Sequence, residues 1–205
     1  MLKYRFLLFI FLLGGIFMSV PAEASSTHES RTVVRMETSK GDIIIELFDQ
    51  EAPKTVKNFI GYIEDNFYEG TIFHRIIQNF MIQGGGFEAG LKQKATREPI
   101  INEATATLSN MRGTIAMART ADINSATAQF FINTVNNPAL DHRNKTQQGY
   151  GYAVFGKVIE GLDIVDDIAA VKTGSSGYFQ DVPKEDVVIK KVSILKSGEA
   201  SDVAQ

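Results

Sequence analysis

The chain has 205 residues, a formal net charge of −3, 44% hydrophobic and 22% charged residues, and no cysteine. That length suits one folded domain, and the composition excludes a disordered, collagenous or coiled-coil chain. Without cysteine there is no disulfide framework, thiolate zinc site or cysteine nucleophile, and the acidic balance argues against a broad basic face for nucleic acid.

Residues 1–24 read as a targeting segment. Lys3 and Arg5 make a positive start, Phe6 to Val20 is almost wholly apolar, and Ala22-Glu23-Ala24 offers the small residues that a signal peptidase reads. The apolar run is shorter than the roughly 20 residues that span a bilayer as a helix. A cleaved secretory signal is therefore expected, ending between Ala24 and Ser25, with no stable membrane anchor and a periplasmic location. Residues 25–31 read as a flexible lead-in.

Residues 32–38 and 42–48 are Val- and Ile-rich runs joined by Ser39-Lys40-Gly41, the pattern of a β-hairpin. The best helical pattern covers 49–66. Pro53 stands in its first turn, Glu51 favours the positive helix start, and Val56, Phe59, Ile60 and Ile63 form one apolar stripe. Short strand-like runs follow at 71–77, 80–83, 113–117, 129–133 and 152–158. Residues 161–171 read as a second helix, 186–195 as a last strand, and 197–205 as a flexible polar tail. Many short strands with only two helices favour a closed sheet with helices at its ends, in one domain over 32–196.

The densest stretch is Phe73-His74-Arg75-Ile76-Ile77-Gln78-Asn79-Phe80-Met81-Ile82-Gln83-Gly84-Gly85-Gly86-Phe87. Arg75 is the anomaly, because an arginine cannot shed its charge inside an apolar strand and needs acceptors or the mouth of a site. Strand alternation puts Phe73, Arg75 and Ile77 on one side and His74 and Ile76 on the other. Gly84-Gly85-Gly86 lacks the Lys-Ser or Lys-Thr of a phosphate loop and reads better as a bend that re-aims a strand. The three histidines, His28, His74 and His142, are too dispersed for a metal site, and no Gly-x-Ser-x-Gly elbow marks a hydrolase. Over 117–133, small polar residues form a loop, after which Gln129 and Phe131 share one side of a strand. Two readings stay open there: a surface loop feeding a core strand, or a carbonyl-binding amide beside an aromatic wall.

The stretch 73–87, the segment ending Gln129-Phe130-Phe131-Ile132-Asn133, and Tyr152-Ala153-Val154-Phe155-Gly156-Lys157-Val158 resemble, in order and spacing, the cyclophilin family of peptidyl-prolyl cis-trans isomerases. The likeness covers about residues 34–195. The export signal and Met117-Ala118-Arg119-Thr120 make it most similar to the bacterial periplasmic type. The resemblance implies a mainly β fold, a closed eight-stranded antiparallel β-barrel capped by two α-helices, with the site in a groove on its outer face. By the same likeness Arg75 is the catalytic arginine, and Phe80, Met81, Phe131 and Leu140 wall the proline pocket. Gln83 helps hold Arg75 and the peptide backbone, and Gln129 is another groove amide. Ala118 and Arg119 match the stretch whose backbone pairs with substrate, and His74 is a less exposed neighbour.

Two positions depart from eukaryotic members: Tyr152 replaces a histidine, and Ala139 stands where many carry a tryptophan, so weak cyclosporin binding is expected. The 141–151 loop is also longer than in compact members. The implied function is faster rotation about Xaa-Pro bonds in exported, folding proteins. Its partners are proline-containing unfolded or partly folded polypeptides, with no cofactor, metal or nucleic acid, and the chain is expected to be a monomer. A proline-peptide-binding chaperone module with little turnover remains the alternative.

Overall fold

The computed structural model describes residues 31–196; the signal-like segment 1–24, most of the lead-in and the tail 197–205 lie outside the described residues. Eight strands form one antiparallel sheet. They are β1 (Val33–Thr38), β2 (Asp42–Leu47), β3 (Arg75–Ile77), β4 (Met81–Gly84), β5 (Thr114–Met117), β6 (Phe130–Asn133), β7 (Val154–Glu160) and β8 (Ile189–Ile194). Their order across the sheet is β8-β1-β2-β7-β5-β6-β4-β3. Two helices, α1 (Pro53–Glu64) and α2 (Leu162–Ala169), and two short ribbons, Phe87–Glu88 with Lys92–Gln93 and Thr173–Ser176 with Phe179–Pro183, complete the fold.

The closed barrel is a correction. The curled sheet is open, with β8 and β3 at its two edges. The seam is crossed by an isolated antiparallel bridge, Ile72 to Val188, flanked by Phe73 N–H donating to the Val187 carbonyl at 2.9 Å and Ile189 N–H to the Thr71 carbonyl at 2.8 Å. Residues 73 and 74 leave strand geometry and β3 begins only at Arg75, so that pairing does not run on into a ladder. The same break corrects the alternation. Phe73 is fully buried and meets the Phe130 ring edge-on at 6.1 Å, in the same core as Ile76, while Arg75 is exposed.

Local chemistry explains most element boundaries. In the first hairpin, Thr38 receives the turn: its N–H and its hydroxyl both donate to the Gly41 carbonyl, at 2.9 and 2.7 Å. Helix α1 covers Pro53–Glu64, shorter than the expected 49–66, and starts at Pro53 because proline's missing N–H and fixed φ suit a first position. Glu51 does not serve the helix start; it pairs with Arg31. A distant carboxylate does that work, with Glu103 accepting from Thr55 N–H at 2.8 Å, Lys54 N–H at 3.2 Å and the Thr55 hydroxyl at 2.8 Å. A negative group there satisfies orphan donors and meets the positive helix end. Past β4 the chain bends at Gly85, whose φ is +79°; a Cβ there would stand 2.7 Å from Phe130 Cε1. The glycine run is thus a bend over a core ring, which only glycine makes without strain.

The pleat divides the sheet into two apolar clusters. One face sends Ile82, Ile115, Met117, Phe130, Ile132 and Phe155 into the main core against α1 and α2. There the Phe59 ring of α1 packs 5.1 Å from Phe155 and edge-on to Phe130 at 5.8 Å. The alternate residues, Met81, Ala116, Phe131 and Val154, form a smaller cluster on the opposite face with Phe48. Period-two alternation produces that split, and aromatic edge contacts add to the burial of the first cluster.

His74 sits between these worlds, 4% exposed, its ring 4.5 Å from that of Phe87 and its Nδ1 without a hydrogen-bond partner. Burial holds its pKa down, from 6.5 to about 4. The folded state therefore keeps His74 neutral where the unfolded chain would charge it, so its contribution to stability is whole above pH 6.5 and is lost as pH falls towards 4. We expect up to about 3 kcal/mol of stability to disappear across that window. Urea unfolding from pH 7 to 4.5 should show a shallower decline in His74→Gln than in the native chain; parallel curves would exclude His74 as the titrating group.

Candidate active site

The smaller cluster floors a groove of about 270 Å³ lined by Arg75, Phe80, Met81, Gln83, Ala118, Arg119, Phe131, Leu140 and Tyr152. Strand register explains why residues so far apart in the chain meet. Arg75 on β3 stands across from Gln83 on β4, Gln83 across from Phe131 on β6, Phe131 across from Ala116 on β5, and Ala116 across from Val154 on β7. One row thus runs from a cation, through an amide, to an aromatic ring and two small or branched apolar floors. Met81, two residues from Gln83 and so on the same side, is 3% exposed and deepens the apolar end, as does Phe131 at 5%.

Around this row the walls are held by polar contacts. Phe131 meets Tyr152 edge-on, with centroids 5.5 Å apart, and the Arg119 guanidinium lies over the Tyr152 ring at 4.7 Å. Arg119 Nε also donates to the Gly151 carbonyl at 3.1 Å. At Gly151 φ is +75° and an added Cβ would stand 2.6 Å from Asp141 backbone, so the 141–151 loop closes on a residue that only glycine suits. Leu140 is carried on the short turn Pro138–Leu140, and its carbonyl accepts from Tyr152 N–H at 3.0 Å and from Asn110 Nδ2 at 3.1 Å.

Three buried asparagines form the hidden frame. Asn137 Nδ2 donates to the Phe80 carbonyl at 2.8 Å and to Asn133 Oδ1 at 2.7 Å, and Asn133 Nδ2 donates in turn to Asn110 Oδ1 at 3.2 Å. Buried amides satisfied this way tie the Phe80 turn, the end of β6 and the Leu140 turn together. Neither Asn110 nor Asn137 stands out in the sequence, and Asn133 stands there only as the last residue of a strand-like run.

The structure brings together nine of the expected positions and sets two apart. Gln129 lies just behind the lining, its Oε1 accepting from Gln83 Nε2 at 2.9 Å. Gln83 therefore faces Arg75 in register while its amide nitrogen serves Gln129. The Ala118 N–H is taken up by the Gln129 carbonyl at 2.9 Å, which leaves any pairing with a bound peptide to other backbone groups of that segment. His74 lies behind the groove against Phe87, and Ala139 is exposed outside the lining. An unforeseen residue is Asp181, whose Oδ2 is 3.6 Å from Arg75 Nε. Its segment carries no apolar period, so nothing in the sequence marks it.

Chemically, the groove offers an apolar slot for a small ring beside a permanent cation, and its lining holds no serine, cysteine or histidine to act as nucleophile or base. Among the described residues no three His, Asp or Glu side chains gather as a metal site.

Residues 33–194 match the family model described as cyclophilin type peptidyl-prolyl cis-trans isomerase/CLD. The chain is 58% identical over 162 residues to peptidyl-prolyl cis-trans isomerase B of Escherichia coli, covering 79% of this chain and 99% of that one. It is 53% identical over 182 residues to a peptidyl-prolyl cis-trans isomerase of Acinetobacter baylyi, covering 89% and 92%. A solved Cryptosporidium parvum cyclophilin type peptidyl-prolyl cis-trans isomerase, crystallised in the presence of the dipeptide Ala-Pro, is similar with a TM-score of 0.64 at 28% identity, covering 80% and 99%.

The asparagine frame makes a measurable demand. Asn137→Ala leaves buried Asn133 Oδ1 without its donor and should cost about 1–3 kcal/mol in urea unfolding. Chemical shifts of Phe80 and Leu140 should move together in that variant; a change confined to residues beside 137 would show that the frame does not couple the two walls.

Proposed function

This chain belongs to the cyclophilin type peptidyl-prolyl cis-trans isomerase family, with a mainly β fold and two helices, and we propose that Arg75 drives the isomerisation by donating a hydrogen bond to the prolyl nitrogen of a bound peptide. The activity itself is the one its family relatives are named for, rotation about Xaa-Pro bonds. The observation that carries the arginine reading is the cross-strand row, in which a charged guanidinium shares one face with Phe131 and the apolar end of the groove.

The peptide C–N bond resists rotation by about 18–20 kcal/mol because the nitrogen lone pair is delocalised into the carbonyl. Before proline, cis and trans differ by only about 0.5–1 kcal/mol yet exchange in tens to hundreds of seconds. No bond is made or broken. What lowers the barrier is an interaction stronger in the twisted state than in either planar one. Twisting returns the lone pair to nitrogen, so a guanidinium N–H aimed at that atom gains an acceptor it lacks in the planar amide. Arginine suits the task because its fork is rigid and its charge permanent.

The walls do the rest. Phe80, Met81, Phe131 and Leu140 hold the pyrrolidine ring while the preceding carbonyl swings, and they exclude water that favours the dipolar planar form. An acceleration of about 10⁵-fold requires roughly 7 kcal/mol, within reach of one charge-assisted hydrogen bond in a partly dry site plus desolvation. Ala139 outside the groove and Tyr152 inside it support weak cyclosporin binding.

The clients we infer are exported, unfolded or partly folded polypeptides containing proline. The support is the charged start, apolar run and Ala22-Glu23-Ala24 of residues 1–24.

Arg75 is half-exposed, so Arg75→Ala should fold with an unchanged melting curve yet lose about 10²–10³-fold in kcat/KM, the scale of one removed transition-state donor. Exchange NMR on a Xaa-Pro peptide measures this, and wild-type turnover in the variant would sink the mechanism. For export, Edman sequencing of protein recovered from the periplasm should begin at Ser25; full-length protein confined to the cytoplasm would refute the targeting reading.

A further inference from the structure

The ribbon of Thr173–Ser176 and Phe179–Pro183 leans on the strand that carries Arg75 and delivers a carboxylate to it. Asp181 Oδ2 lies 3.6 Å from Arg75 Nε, with the two side chains 40% and 44% exposed. Asp181 reaches that point through an unusual backbone. Ribbon pairing runs from Gly174 opposite Val182 to Ser176 opposite Phe179, so Gln180 and Asp181 together oppose the single Ser175 as a bulge. Within it Asp181 has φ +60°, in the left-handed region that most side chains avoid. Bulges re-aim side chains next to working sites, and local strain gathers where the position of one group matters.

The ribbon is also fixed to the arginine's own strand. Phe179 meets Phe87 edge-on at 5.5 Å, and Phe87 packs 4.5 Å from His74, the residue before Arg75. Carboxylate and guanidinium thus stand on one packed unit. Gln83, the cross-strand neighbour of Arg75, has its amide nitrogen on Gln129, which leaves Asp181 as the charged partner of Arg75 among the described residues. The contact falls on Nε. At that length the contact is an ion pair, and among those residues no nitrogen of Arg75, terminal or Nε, makes a hydrogen bond.

Resting on the reading of Arg75 above, we propose that Asp181 is a positioning residue: its carboxylate holds the guanidinium by the Nε edge and leaves the terminal N–H groups to the prolyl nitrogen. An exposed pair of this length adds little to stability. Its effect is on orientation, since an arginine side chain has much rotamer freedom to lose before its donors point one way. The apolar walls hold the proline ring, so a loosened arginine slows turnover without weakening binding. A carboxylate beside the cation also drains some of its field, and that opposing effect predicts a faster enzyme when Asp181 is neutralised. The sign of the change separates the two.

Asp181→Asn is the fitting variant, because asparagine keeps the size and tolerates the left-handed backbone. In exchange NMR on a Xaa-Pro peptide, kcat should fall about fivefold, equivalent to about 1 kcal/mol of barrier, with KM and melting temperature unchanged. The Arg75 Nε–H resonance, assigned by its loss in Arg75→Ala, should shift and exchange faster with water. In an Arg75→Ala background, Asp181→Asn should bring no further fall. Unchanged or higher kcat in Asp181→Asn, or a loss that persists without Arg75, overturns the positioning role. Full activity in Arg75→Ala overturns the arginine reading and this role with it, whereas the usual deep loss there beside wild-type kcat in Asp181→Asn overturns the role of Asp181 alone.

Discussion

Everything at this site depends on the pleat of a single curled sheet. Because neighbouring residues in a strand point to opposite faces, Phe130 and Ile132 enter the core while Phe131 between them faces the groove, and Ile82 and Met81 divide the same way. Two apolar surfaces are thereby built from one set of strands. One is sealed by helices α1 and α2. The other is left partly open, with a cation at its rim, and an unsealed apolar floor beside a fixed charge is what a ring-shaped apolar ligand with one polar atom requires.

A partly open apolar face carries a cost in stability and invites collapse of its walls. The molecule answers with polar ties rather than more apolar burial. The asparagine frame holds the Phe80 and Leu140 turns, Arg119 bridges Tyr152 and the Gly151 carbonyl, and Gln83 is steadied by Gln129. Each tie is a satisfied buried or half-buried group, so each specifies one geometry instead of adding bulk stability. The open seam of the sheet belongs to the same economy: strand geometry lapses at residues 73–74, and that lapse lets Phe73 fill the core while Arg75 emerges two residues later on the working face.

Much of this was legible in the amino-acid order because it is local. Alternating Val and Ile runs marked the first hairpin, Pro53 and an apolar stripe marked α1, and the Gly-rich run after Gln83 marked a bend. Arg75 stands out for a physical reason, a permanent charge in an apolar strand. The family resemblance supplied the groove set, nine of whose positions do line one cleft. Glu51 does not cap the helix start because helix-end donors are indifferent to where in the chain their acceptor comes from, and Glu103 arrives from a distant loop.

What the sequence alone determined, then, is the main strands of the sheet, the two helices and which residue types could carry the chemistry, since those follow from periodicity, turn residues and charge over a few neighbours; the two short ribbons, including the one that carries Asp181, left no such signal. What the tertiary structure decided is register: that Arg75, Gln83 and Phe131 fall in one row, that the sheet curls without closing, and that a bulged ribbon brings Asp181 to the arginine. Within a hairpin the turn and the alternation set register, but pairing between strands remote in the chain, such as β4 with β6, is settled only when their apolar faces pack together in one core.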